Sequence, residues 1–204
     1  MVQSVPTTLS DEQQLEALLR QRRQDSRRAN EIDADIRDRF LATRAIVVLD
    51  MVGFSRQTQE QGIIPTLQKI YALRETATPI LEAHQGRVFK QDADNLYAAF
   101  ATPDAALEAT GHLLGELNAI NIHASIGIGY GEVLVVGEHN LYGNEINLAS
   151  KLGEDIAGDD EILLTAAAHD ALTTADWQFT RTVQKVSDVT PTVYQLQSSA
   201  FSPI

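Results

Sequence analysis

The run Ala45-Ile46-Val47-Val48-Leu49 is rich in β-branched residues and short, a pattern that predicts a strand buried on both faces. It ends on Asp50 and leads into Met51-Val52-Gly53-Phe54-Ser55. Two further strand-like segments, Arg87-Val88-Phe89 and Leu96-Tyr97-Ala98-Ala99-Phe100, flank a turn around Asp92-Ala93-Asp94-Asn95, where glycine would suit a positive φ better than Ala93 does. Ser10 followed by Asp11 and Glu12 reads as the N-cap and acidic first turn of a helix running to about Leu41. Its apolar positions Leu15, Leu18, Leu19, Ala29, Ile32, Ile36 and Phe40 form a rough heptad broken at Arg22 and Asp25. That pattern suits a helix packed on its own domain or one paired with its copy in a dimer. Helical spacing predicts further helices over 63–83, with Pro79 as a kink, and over 104–117. Strands are expected at 122–128 and 132–136, joined as a hairpin through Gly129-Tyr130-Gly131, and a short helix follows Gly143. Strand 162–164, helix 166–172 and a last strand pair near Phe179 and 193–196 complete the pattern. Hairpins alternating with crossover helices predict an α+β sandwich, helices on a mixed sheet. The expected organisation is a tail and helix over 1–41, a domain over 42–198 and a short tail over 199–204.

Composition narrows the choice of partners. The chain has 204 residues, no cysteine and a net charge of -12. Disulfides and thiolate metal sites are therefore excluded, and a general affinity for nucleic acid or an anionic membrane is disfavoured. No stretch approaches the length of apolar sequence that a membrane span needs, and no basic-then-apolar leader opens the chain. A cytoplasmic protein is expected. The five histidines show no metal-ligand spacing, Trp177 and the phenylalanines read as core, and the acidic residues Glu154, Asp155, Asp159, Asp160 and Glu161 read as a solvent-facing turn.

Candidate chemistry rests on convergence. Taken singly, Asp50 would be a strand-end residue and Asp94 a turn former. If their strands are neighbours, two carboxylates meet at one sheet edge beside the amides of Met51 to Ser55, a setting for a hard cation and the phosphate it carries. Three stretches in this order resemble the class III nucleotide cyclase catalytic domain, the family of adenylate and guanylate cyclases. Asp50-Met51-Val52-Gly53-Phe54-Ser55 is similar to the family's Asp-x-x-Gly-Phe-Ser/Thr motif, and Lys90-x-x-Ala93-Asp94 to its Lys-x-x-Gly-Asp motif. Gly143-Asn144-Glu145-Ile146-Asn147-Leu148-Ala149-Ser150-Lys151 is similar to its Gly-Asn/Asp-x-Val/Ile-Asn-x-Ala-Ser/Ala-Arg segment.

The resemblance, covering about Arg44 to Leu196, implies a ferredoxin-like core and a homodimer with ATP in the groove between the copies. It implies two Mg²⁺ or Mn²⁺ ions held by Asp50, Asp94 and the carbonyl of Met51, with Gly53, Phe54 and Ser55 around the phosphates. Lys90 and Asn140 would read the purine, Asn147 would position the ribose, and Lys151 would stand where the family has Arg to stabilise phosphate charge. Lys185 is the candidate for a triphosphate-binding lysine. Helices ahead of such domains commonly carry signals, so an upstream regulatory protein acting through the N-terminal helix is an expected partner. Lysine donates to adenine N1 and matches guanine poorly, which favours adenylate cyclase activity. Ala93, Asn140 and Lys151 depart from the family pattern and keep a second reading open, a cyclase-like module that binds nucleotide or a regulatory partner with little turnover.

Overall fold

The computed structural model describes residues 9–183 and 191–197. The apolar run becomes the centre of β1 (Leu41–Met51), and Ala45 to Leu49 are fully buried. β1 lies between two antiparallel neighbours, β3 (Asn95–Phe100) and β4 (Ala124–Val136). β2 (Arg87–Asp92) forms the expected hairpin with β3. With β6 (Ile162–Thr165), β7 (Phe179–Val183) and β8 (Thr192–Leu196) the sheet order is β2-β3-β1-β4-β6-β8-β7, and β5 (Asn140–Tyr142) pairs with β4. All pairings are antiparallel except that of β4 with β6. The first four strands, with helical crossovers after β1 and β3, follow the ferredoxin-like order, so the expected fold class holds.

Strand alternation sorts the core into two layers. Val47, Leu49, Leu96, Ala98, Ile126 and Ile128 face α4 (Ile63–Ala83) and α5 (Pro103–Ala119). Ile46, Val48 and Val133 face α6 (Asn144–Ser150) through Ala149. Asp50 follows Ile46 and Val48 at the same period, which sets it at the end of this second face. A helix that the apolar pattern did not announce, α3 (Phe54–Gln61), opens directly after Gly53, and α7 (Ala166–Asp170) follows β6.

The expected single N-terminal helix is instead a helical hairpin. α1 (Asp11–Gln24) opens with a Ser10–Gln13 capping box, and the chain turns at Asp25, whose carboxylate accepts from Arg27 N and starts a 3₁₀ turn over Ser26–Arg28. α2 (Ala29–Phe40) then packs back on α1. The charged interruptions in the heptad cause the break: Arg22 takes no part in an apolar seam and pairs with Asp33 across the hairpin, Nη2 to Oδ2 at 2.9 Å. Leu15, Leu18, Ile32, Ile36 and Phe40 close over Val136 at the far end of β4, so this apolar stripe is used within its own chain.

The hairpin expected at Gly129-Tyr130-Gly131 is also corrected. β4 runs unbroken for 13 residues, matched to β1 along its length. These glycines serve close approach and make no turn: a Cβ on Gly129 would lie 2.5 Å from the carbonyl oxygen of Glu145, and one on Gly131 2.8 Å from its Cγ. They let α6 press onto the sheet. α6 passes into a π-helical turn over Lys151–Ile156, which lies across the ends of β1 and β4, with Gly153 against the Val48 carbonyl. The acidic residues expected in a solvent-facing turn therefore begin, at Glu154 and Asp155, inside a helical segment beside Asp50. Among the described residues no helix is long and apolar enough to cross a membrane.

Candidate active site

All the predicted residues but Lys151 and Lys185 fall into two separate cavities. The first, a cleft of about 370 Å³, is lined by Asp50, Met51, Val52, Gly53, Phe54, Ser55, Arg56, Asp94 and Asp159. Its walls are set by backbone contacts. Met51 N donates to the Asp94 carbonyl at 3.2 Å and Val52 N to the His123 carbonyl at 2.9 Å, clasping the end of β1 between the β2–β3 turn and the start of β4. Arg74 of α4 holds the same turn, donating to the Ala93 carbonyl at 2.6 Å. Ala93 sits at φ +46°, a left-handed conformation that favours glycine. Gly53 reaches φ +79° to turn the chain from β1 into α3, and no side chain caps that helix, so its first N–H groups remain available to an anion.

The electrostatics of this cleft are unbalanced. Burial, with the Asp94, Glu154 and Asp155 carboxylates adding to it, pushes the Asp50 carboxyl up from 3.8 to about 7. Directly across from Asp50, in register on β3, the Asn95 side-chain oxygen is buried and has no hydrogen-bond partner among the described residues. Hard oxygen donors and surplus negative charge are the chemistry that suits Mg²⁺ or Mn²⁺. Among the described residues no group of three or more His, Cys, Asp or Glu is arranged to enclose a metal by itself. Two carboxylates leave the remaining positions to water and phosphate oxygens, the usual arrangement for Mg²⁺.

The second cavity, about 440 Å³, gathers Lys90, Asn140 and Asn147 with Phe89, Tyr97, His139, Leu141, Tyr142, Gly143, Ile146 and Ser150. A β-bulge makes it. Val88 pairs with Ala98 but Lys90 pairs with Tyr97, so Phe89 and Lys90, neighbours in sequence, both reach the face bearing Tyr97. The Lys90 ammonium lies 5.1 Å from the Tyr97 ring centroid and 3.2 Å from Asp92. Tyr97 spans toward the first cleft: its hydroxyl donates to Glu154 at 2.9 Å, and burial together with that bond pushes its pKa up to about 12.

Within one chain, then, the metal candidates and the base and ribose candidates line different cavities. Lys151 lines neither; its Nζ is 2.7 Å from Asp155, which holds the ammonium above its ordinary range. Lys185 lies outside the described residues. Sequence reasoning overlooked Tyr97, Glu154 and Asp159. Glu154 and Asp155 stand three and four residues after Lys151, a helical spacing that could have brought them to the same face. Nothing in the sequence pointed to the bulge that joins Lys90 to Tyr97.

The chain has the fold of class III nucleotide cyclase catalytic domains. A crystal structure of an adenylate/guanylate cyclase/hydrolase from Silicibacter pomeroyi aligns with TM-score 0.68 at 24% identity, over 76% of this chain and 96% of that one. A bacterial light-regulated adenylyl cyclase aligns with TM-score 0.68 at 22% identity, over 78% and 52% of the two chains. The guanylate cyclase domain of RhGC from Catenaria anguillulae, in complex with GTP, aligns with TM-score 0.67 at 14% identity, over 76% and 96%. At these identities the likeness is one of fold. In sequence, the chain is 25% identical over 134 residues to "Putative adenylate cyclase 3" of Rhizobium meliloti (strain 1021); the match takes in 62% of this chain and 22% of that protein, so the chain spans about a fifth of its length. No family model matches the chain.

Proposed function

We propose that the chain is an adenylate cyclase that converts ATP to 3′,5′-cyclic AMP and pyrophosphate at the interface of a homodimer. The observation that carries this reading is the split site. A carboxylate cleft with free helix N–H groups and a separate pocket of Lys90, Asn140 and Asn147 occur on one chain with the cyclase fold. Each is half of a nucleotide site, and two copies facing each other would complete both.

In such a site Asp50 and Asp94 would hold Mg²⁺ or Mn²⁺, with the Met51 carbonyl as a further ligand; the ions supply positive charge that acidifies the ribose 3′-hydroxyl and offsets charge at the α-phosphate. The amides around Gly53, Phe54 and Ser55 would cradle phosphate oxygens. From the other copy, Lys90 and Asn140 would grip the adenine edge and Asn147 the ribose. The 3′-hydroxyl gives its proton to solvent, its oxygen bonds to the α-phosphorus as the bond to the bridging oxygen breaks, and pyrophosphate leaves with that electron pair. No nucleophilic side chain is required, so positioning and charge stabilisation do the catalysis. Lys151 would assist the developing phosphate charge after release from Asp155, with a point charge in place of the planar guanidinium.

Purified protein with Mn²⁺ and ATP or GTP, assayed for cyclic nucleotide beside Asp50→Ala, tests the proposal. Cyclic AMP from the wild type and none above background from the variant is expected; equal signals from both would refute it. The tethering of Lys151 by Asp155 favours a second reading, a nucleotide-binding module with little turnover, which predicts nucleotide binding without product.

A further inference from the structure

The first turn of α1 touches the pocket that holds the base-reading candidates. Gly137, at φ +62°, leads β4 into β5, and a Cβ there would lie 2.5 Å from the Glu12 carboxylate, so the helix seats directly on this turn. Asp11 Oδ2 accepts from Gly137 N at 3.3 Å, and Glu12 Oε1 accepts from Asn140 Nδ2 at 3.5 Å. On the opposite side Arg87 donates to the Gly137 and Glu138 carbonyls, and His139 Nδ1 lies 3.1 Å from the Phe89 carbonyl at the bulge. The turn is thus clamped between α1 and β2 with Asn140 on the pocket wall.

An asparagine amide has a donor end and an acceptor end, and whichever end a fixed neighbour engages decides what the other presents. A carboxylate accepts only. We infer that Glu12 is a specificity-determining positioning residue: by engaging Nδ2 of Asn140 it turns Oδ1 toward the pocket, where an acceptor suits the exocyclic amino group of adenine and opposes the carbonyl of guanine. Glu12 is suited to stay ionised, because its own backbone N–H, the Ser10 hydroxyl and the Asn140 amide hold its carboxyl below the usual range. The same contact ties nucleotide choice to the N-terminal helical hairpin, so a partner that shifts α1 would alter selectivity.

This inference rests on the base-reading roles proposed above, and the test separates the two. Binding of fluorescent ATP and GTP analogues with Mn²⁺, and cyclisation where it occurs, would be measured on the full chain for wild type, Glu12→Gln, Glu12→Lys and Asp11→Asn. Glutamine can offer Asn140 either an acceptor or a donor and so no longer fixes its orientation; Glu12→Gln should lower the ATP-over-GTP preference by about fivefold to tenfold. The change should appear in KM for ATP, with kcat nearly unaltered. Glu12→Lys supplies a donor that would take Oδ1, present Nδ2 to the pocket and move the preference further toward GTP. Asp11→Asn, which disturbs the turn and leaves the Asn140 contact, should keep the wild-type ratio. An unchanged ratio in both Glu12 variants, or an equal shift in Asp11→Asn, overturns the inference while leaving the cyclase reading standing. A wild type that binds neither nucleotide overturns that reading and this inference with it.

Discussion

Replacing Asp50 with Asn should stabilise the metal-free protein, and only above mildly acidic pH. Burial and three neighbouring carboxylates raise this carboxyl from 3.8 to about 7, so the fold favours its neutral form. Stability from this group is therefore fully present below about pH 4 and is lost as pH rises toward 7. Complete conversion of that displacement would be about 4 kcal/mol. The group is only half-buried, and solvent screens its neighbours, which brings the expected loss to about 2 kcal/mol. Asparagine keeps the size of the neutral acid and cannot ionise. In EDTA, Asp50→Asn should melt about 5 °C above wild type at pH 8 and within about 1 °C of it at pH 4.5. Adding Mn²⁺ at pH 8 should raise the wild-type Tm and leave the variant nearly unmoved, because a bound cation stabilises only a fold that holds it. Parallel Tm-against-pH curves for the two proteins, with equal responses to Mn²⁺, would refute the claim that Asp50 carries an unbalanced charge.

Ala93→Gly should relieve the left-handed turn residue. About 1–2 kcal/mol of strain is removed, and part is offset by the greater freedom of glycine in the unfolded chain, leaving a net gain of about 0.5–1 kcal/mol in urea unfolding. A destabilised variant would show that the turn is not strained. Lys151→Arg restores a planar, bidentate donor and should raise kcat for cyclic AMP formation by about tenfold or more, with KM little changed. An unaltered kcat would remove residue 151 from the chemistry.

The parts of the molecule legible in the sequence were those governed by local periodicity. The apolar run into Asp50, the Ser10 cap, the α4 and α5 helices and the β2–β3 turn came from local patterns and each forms where expected, although Ile64, Leu67 and Tyr71 of the α4 stripe lie exposed. The misread parts depend on what lies across space. Gly129 and Gly131 look like a turn because glycine marks turns in most sequences. Here they are bare so that the backbone and side chain of Glu145 can approach, which no local pattern records. The long N-terminal helix failed at Asp25 for a related reason. Asp25 is a weak helix former that caps the next turn, and Leu15 and Leu18 gain burial against Ile32, Ile36 and Phe40 in the hairpin that follows.

The same distinction explains the candidate site. Asp50 and Asp94 could be paired from sequence because an apolar strand and a hairpin turn each end at a definable point. The setting of Lys90 could not, because a single inserted residue in β2 turns two successive side chains to one face, and the alternation rule predicts the opposite. With the bulge, Lys90 joins Tyr97, whose hydroxyl bonds Glu154, one of the carboxylates that raise Asp50. The base pocket and the carboxylate cleft are thereby joined through one tyrosine within a chain, although each would serve a different nucleotide in the proposed dimer.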